Sequence, residues 1–571
     1  MAQAIATEQT QPTDDEPSPA SGPPRVFSLR FNGTGMAFAA LFFGFSLFPS
    51  LLPRAGYVQG IASGITIMIG YAIGVGIHTL WRFLQIPSPR PSRARVIKTI
   101  LLALVGLSVV TAIWKYVGWQ NEVRGIFDAP SISPLTWPVI VLVTVLVAGL
   151  ILIVARSLRR LVVFGTRLLG RRLPPRLAQA ISFATIALMI WLLVTGVLVN
   201  GFFAAANALF APRDSATTEG VVQTTSTLRS GGPESLVEWD TLGRKGRDFV
   251  ATGPTVEQID EFSGGGAVEP IRVYVGLDSE PTLRGRADLL LQELQRTGAF
   301  DREVLVVATT TGTGFLDPAA VDALEYMYNG DTAISGVQYS FLPSWISLLA
   351  DQDAVKLTSR TVFDTVHDYW STLPADDRPA LYLYGLSLGS FGVESVLTSI
   401  NVVNEPIDGA FMSGPPFVNP LHNEIEADRD PGSPAWLPKF ENGRTVQFTS
   451  SGSQIDAVID QRWGPSRLVY LQHSSDPVVF FNQKLAFEDP EWLVAGQRGP
   501  DIPESMTWVP LVTMWQVALD LPAAGSVPVG HGHMYSKQSN AEAWAAMTRP
   551  EGWTASDTER LVAQMDADGT G

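Results

Sequence analysis

Leu381-Tyr382-Leu383-Tyr384-Gly385-Leu386-Ser387-Leu388-Gly389 is an apolar run that ends in G-x-S-x-G, and a helix-like segment follows over residues 390–400. Strand, sharp turn and helix in that order predict a nucleophile elbow, whose strained backbone lifts the serine hydroxyl clear of the sheet. A side chain at either flanking position would strike the neighbouring strand or helix, so Gly385 and Gly389 are read as parts of the turn. The pentapeptide is common by itself, and its weight comes from its surroundings.

A serine of this kind needs a base, and in the Ser–acid–His order the base comes last. The chain has six histidines, so elimination is practical. His78 lies in an apolar segment, His367 precedes Ser387, and His422 and His473 precede the best acid position. His531 and His533 remain, in Val529-Gly530-His531-Gly532-His533-Met534-Tyr535, a glycine-rich loop entering a helix at 540–547. His533 is the candidate base on its G-x-G-H context, and His531 is the alternative. Asp476, which follows the strand-like run 467–472 and precedes a proline, is placed to orient an imidazole. Asp408, read as following the strand whose end is 409–412, is the reserve acid.

Acyl transfer also needs donors for an oxyanion. The backbone N–H of Leu388 is one candidate. The loop Thr309-Thr310-Thr311-Gly312-Thr313-Gly314-Phe315, after the buried-strand pattern at 304–308, supplies the others: Thr310, Thr311 and Gly312. Two inserts are expected to shape a pocket. One, at 329–345, contains Asp331 and Gln338 as candidate substrate contacts. The other, at 480–521, carries Trp492, Trp508 and Trp515 and reads equally as an aromatic lid or as core.

The runs Tyr274-Val275-Gly276-Leu277-Asp278-Ser279, T-T-T-G-T-G-F, Gln338-Tyr339-Ser340-Phe341-Leu342-Pro343-Ser344-Trp345, G-L-S-L-G, Ser413-Gly414-Pro415-Pro416-Phe417 and G-H-G-H together resemble one family. It is the membrane-anchored α/β-hydrolases of actinobacteria and proteobacteria, with a helical membrane N-terminal domain and a hydrolase catalytic domain. The resemblance covers nearly the whole chain after residue 30. It implies that fold and a serine-hydrolase mechanism, and it supplies no substrate.

Composition adds limits. At 571 residues the chain exceeds one ordinary domain, and with no cysteine it has neither disulfides nor a thiol nucleophile. Residues 1–210 carry 17 Lys/Arg against 6 Asp/Glu, whereas the remainder carries 23 against 49. The acidic half argues against nucleic acid as a partner. No cofactor or metal is called for.

The Pro-, Ser- and Gln-rich residues 1–30 cannot bury a core and are expected to be a disordered tail. Apolar stretches at 36–52, 58–80, 99–114, 138–155 and 180–209 follow, each near the ~20 residues that cross a bilayer. About five spans are therefore expected over residues 31–210. Arg82, Arg90, Arg93, Arg95 and Lys98 lie in one connection, and Arg156, Arg159, Arg160, Arg167, Arg171, Arg172 and Arg176 in another. Both should face the cytoplasm, as should the tail. An odd number of spans then puts everything after residue 211 outside, and four spans would invert this. The second basic stretch is amphipathic and suits anionic lipid. Glycines at 56, 60, 64, 70 and 74 suit close helix packing, within the bundle or in a homo-oligomer.

Residues 211–268 read as a Thr/Ser/Gly-rich linker with a short ordered stretch at 239–250, and 269–571 as the hydrolase domain, where strands alternating with helical patterns predict a mostly parallel sheet covered on both faces. The expected activity is that of a membrane-anchored serine hydrolase acting on a lipid or cell-envelope ester. Acyl transfer by the same residues, or a non-catalytic envelope scaffold, are the alternatives.

Overall fold

The computed structural model describes residues 31–87, 91–350, 352–451, 463–464 and 466–570; the expected tail at 1–30 and Arg90 lie outside the described residues. The membrane-like half opens with α1 (Gly33–Ser46), α2 (Gly56–Phe83), α3 (Pro91–Ile126) and α4 (Thr136–Leu169). α5 (Pro175–Leu192) and α6 (Val199–Ser215) follow, joined without a break by one π-helical turn. Among the described residues four helices are long and apolar enough to cross a bilayer: α2, α3, α4 and the 41-residue run of α5 and α6. The expected fifth, α1, has only 14 residues. That is about 21 Å of helix, short of a hydrocarbon layer of about 30 Å. The cause is local, because Pro49 and Pro53 cannot continue the helix, and the apolar residues after Ser46 turn away as a loop.

The glycines pack these helices within the chain. Gly56, Gly60 and Gly64 leave no room for a Cβ against Thr136, Val143 and Val147 of α4, while Gly70 and Gly74 do the same against Phe42 and Gly35 of α1. Gly56 meeting Thr136 sets the start of α2 beside the start of α4. Gly165 lies against Ser182, so α4 and α5 are antiparallel neighbours. Apolar side chains such as Leu107, Leu146, Phe183 and Trp191 are left on the outer surface.

Among the described residues seven strands form the sheet beyond: β1 (Ile271–Val275), β2 (Val304–Thr309), β3 (Thr332–Val337), β4 (Ala380–Leu386), β5 (Gly409–Ser413), β6 (Val446–Thr449) and β7 (Arg467–Leu471). Their order is β1-β3-β2-β4-β5-β7-β6, and every pairing is parallel. Strands buried on both faces read as continuous apolar runs, and β1 to β5 are buried along nearly their whole length. All seven carboxyl ends point one way, the side where an open α/β sheet presents its ligand site.

Two expectations change, and a third segment takes one of its two readings. Residues 329–345 are not an insert, because β3 lies between β1 and β2 in mid-sheet. Its small and polar residues (Thr332, Ser335, Gly336) concealed a buried strand; Ser335 satisfies its hydroxyl on the Val306 carbonyl at 3.1 Å. Residues 211–268 contain the ordered stretch expected at 239–250 and are tied to the domain beyond it as well. Val237, Leu242, Phe249, Val250 and Ile259 join the main core, and Ser230 bonds the Arg272 carbonyl of β1 at 3.1 Å. The 480–521 segment forms a packed layer: Phe480, Trp492, Leu493, Ile502 and Met506 share one buried cluster with Leu51, Leu52, Val123 and Phe127 of the membrane half.

Candidate active site

The turn after β4 leads into α7 (Leu388–Leu397), with Ser387 at φ 55° and ψ −124°. A non-glycine residue at positive φ is strained and is held there only by its surroundings. Here the Ser387 amide donates to the Ser413 carbonyl at the end of β5 (2.8 Å), and the Ser390 hydroxyl donates to the Ser387 carbonyl (2.7 Å). A Cβ on Gly385 would overlap the Gly389 carbonyl, and one on Gly389 would overlap the Thr309 carbonyl of β2. The same contact brings the elbow against the threonine-glycine loop.

Asp476 follows β7 by five residues and is fully buried. One of its oxygens caps a short helix through the Val478 amide (2.8 Å). The other accepts from His533 Nδ1 at 2.6 Å and from the Tyr535 hydroxyl at 2.7 Å. Burial pushes the Asp476 carboxyl up, but the charge and hydrogen bond of His533, with the donors Tyr535 and Val478, outweigh it and hold it below the usual carboxylate range. Burial and that carboxylate push the Tyr535 phenol well up, so it stays a donor. With Nδ1–H committed to Asp476, the lone pair of His533 is on Nε2, and among the described residues nothing hydrogen-bonds that atom.

Gly414 fixes where this imidazole lies. It has φ +55°, and a Cβ there would overlap His533 Cε1. His533 is therefore seated one residue past the Ser413 carbonyl that holds the Ser387 amide. After the loop, Ser536 caps α8 (Lys537–Thr548), whose Trp544 packs edge-on against Phe411 of β5 with ring centroids 5.2 Å apart. His531 faces elsewhere: its Nδ1 is 3.4 Å from Asp501, and its ring lies 4.9 Å from Phe127. His473 stacks on Tyr535 at 4.5 Å and bonds the Gly532 carbonyl at 3.0 Å; burial pushes it below the ordinary imidazole value.

The other expected residues divide. Asp408 stands before β5, not after it, and accepts the Leu381 amide at 2.8 Å, at the opposite end of the sheet from Ser387. Asp331 likewise precedes β3, with its carboxylate 3.6 Å from Arg302; six residues of strand, roughly 20 Å, separate it from the carboxyl ends. Gln338 is buried and tied at both ends, to the Leu277 amide (3.2 Å) and to Asp214 (2.9 Å), which leaves it structural. In the threonine-glycine loop the Thr311 amide bonds the Phe315 carbonyl (3.0 Å), and the Gly312 amide bonds Ser344 Oγ (3.2 Å). Those two amides are therefore spent on the turn. Thr310, whose hydroxyl bonds the Val337 carbonyl at 3.1 Å, follows the Thr309 that touches the elbow, and its own carbonyl is 3.4 Å from where a Gly389 Cβ would lie. Leu388, buried, starts α7, where the first amides of a helix lack intrahelical partners.

Sequence reasoning gave no role to Tyr535 or Gly414. Tyr535 stands two residues past His533, a spacing that could have prompted the question; nothing local marks Gly414 as the imidazole's seat.

Residues 271–561 match the model of the alpha/beta-hydrolase family, and residues 47–254 match that of the alpha/beta-hydrolase family N-terminus. The chain belongs to the alpha/beta-hydrolase family. No curated protein and no solved structure matches it.

Proposed function

We propose that the chain is a membrane-anchored serine hydrolase that forms an acyl-enzyme on Ser387. The observation that carries this is the 2.6 Å bond of buried Asp476 to His533 Nδ1, with Nε2 unengaged beside a strained Ser387 elbow. His533 Nε2 takes the proton of Ser387 Oγ as that oxygen bonds to an ester carbonyl carbon. Asp476 holds the resulting imidazolium, and the Leu388 amide, with a donor from the Thr310 side of the loop, faces the developing oxyanion. The C–O bond of the ester then breaks, His533 returns the proton to the leaving alcohol, and water repeats the sequence to free the acid.

A lipid or envelope ester is favoured as substrate because the membrane half borders the site on two sides. Phe203 and Phe210 of α6 pack on Leu342 and Ile346, next to the Ser344 that holds the threonine-glycine loop, and Leu52 lies against the histidine loop. An extracytoplasmic catalytic domain is favoured by charge. The starts of α2 and α4 lie together next to hydrolase residues, so the basic end of α4 and its connection to α5 fall at the other end of the bundle, which the positive-inside rule favours for the cytoplasm. The final crossing then leads outward whether or not α1 spans, so a count of four moves the N-terminus rather than the hydrolase domain.

A fluorophosphonate probe tests the reading. The wild type is expected to label and the Ser387→Ala protein not to. An unlabelled, folded wild type would overturn the proposal.

A further inference from the structure

The connection between α1 and α2 is more than a tether. Ser50, Leu51, Leu52 and Arg54 are each no more than 2% exposed, although they belong to a short loop at the end of a membrane bundle. Arg54 Nε is 3.1 Å from Asp520 Oδ1, and the Ser50 hydroxyl donates to the other oxygen of that carboxylate. Gln516, one turn earlier on the same hydrolase helix (Val512–Asp520), donates to the Phe48 carbonyl at 2.9 Å. Arg124 of α3 braces the loop from behind by donating to the Arg54 carbonyl at 3.0 Å.

The consequence lies four residues past Asp520. After one turn at Leu521–Ala523, the Ala524 carbonyl accepts the backbone amide of His533 at 3.0 Å. Gly532 (φ +52°) has that carbonyl and Leu52 Cδ2 against its α-carbon, 3.1 Å and 3.5 Å from the position of a Cβ. The histidine loop holds two glycines at positive φ, Gly530 and Gly532, and such a backbone is costly to order from within. A buried ion pair gives little net stability, but its direction is specific, which suits a registering contact.

We infer that Arg54 and Leu52 are positioning residues for His533: the α1–α2 connection sets the Asp520–Ala524 segment and the Gly532 turn, and through them the imidazole. The inference rests on the serine-hydrolase reading above.

The test uses the full-length protein in detergent, with a fluorophosphonate to titrate reactive serines and p-nitrophenyl acetate as a small ester. Arg54→Met and Leu52→Ala are compared with the wild type as rate per titrated serine. That readout is insensitive to loss of folded protein and so excludes a merely structural role. Displacing a reacting group by about 1 Å costs on the order of 10²-fold. The expected result is therefore a loss of roughly ten- to a hundredfold in kcat, with KM changed less than about threefold. If Arg54→Met does not fold, Ser50→Ala and Leu52→Ala carry the same measurement. Wild-type kcat per titrated serine in the folded variants overturns the inference and leaves the hydrolase reading standing. A wild type that fails to label, or a Ser387→Ala protein that labels as fast, overturns that reading, and this inference falls with it.

Discussion

Gly414→Ala adds one methyl group at the point where β5 hands over to the imidazole. Two costs can be worked from the structure. Alanine at φ +55° pays the left-handed penalty of roughly 1–2 kcal/mol. The methyl carbon would also overlap His533 Cε1 and lie 2.9 Å from both His533 Nδ1 and Tyr535 Cε2. Relief to an ordinary carbon contact of about 3.5 Å needs the ring to retreat by roughly an ångström, away from a 2.6 Å bond to Asp476. A displacement of that size predicts a drop of about 10²-fold in rate. Gly298→Ala is the control: it caps a distant helix at φ +71°, with its Cβ no closer than 3.4 Å to Asp301, so it carries the backbone penalty alone. Both variants should melt lower than the wild type, while only Gly414→Ala should label slowly per folded molecule. Equal labelling rates for the two would refute the claim that Gly414 seats the imidazole.

His533→Ala should abolish fluorophosphonate labelling and Asp476→Asn should slow it by roughly 10³- to 10⁴-fold, since an amide leaves the wrong imidazole tautomer. His531→Ala, which removes a ring from Asp501 and Phe127 rather than from Asp476, should keep at least about a tenth of the wild-type rate on the same assay. Two buried histidines make a contribution to stability that mild acid removes. Burial holds His422 and His473 below the ordinary imidazole value, so their contribution is fully present above about pH 6.5 and is lost as pH drops below it, where the unfolded chain takes up protons first. The raised carboxyls of Glu394, Asp408 and Asp520 act in the opposite sense, because their folded forms bind protons first. His422→Gln should therefore shift the change in Tm from pH 8 to pH 6 towards higher Tm at pH 6, and an unchanged slope would count against this assignment. The chain has no cysteine, so a single Ser556→Cys reports orientation. An impermeant maleimide should label it in intact spheroplasts, and labelling only after lysis would reverse the proposed topology.

The apolar run into G-L-S-L-G was readable as a strand and a sharp turn because both requirements are local: a buried parallel strand is apolar throughout, and the turn tolerates only glycine at Gly385 and Gly389. The apolar segments of α2 to α6 were readable for the same reason, since lipid demands them residue by residue. Chain order also set Asp476 ahead of the two late histidines. Other features have no local signature. β3 looked like a loop because its burial comes from neighbours 25 or more residues away in the chain, and residues 211–268 looked like a linker because Thr, Ser and Gly conceal how much of that segment joins the core. Whether His531 or His533 meets Asp476 is a matter of ångströms, decided by Gly414, Tyr535 and the Ala524 carbonyl. The pairing of Arg54 with Asp520 joins segments 466 positions apart, and only the folded chain brings those charges out of water together.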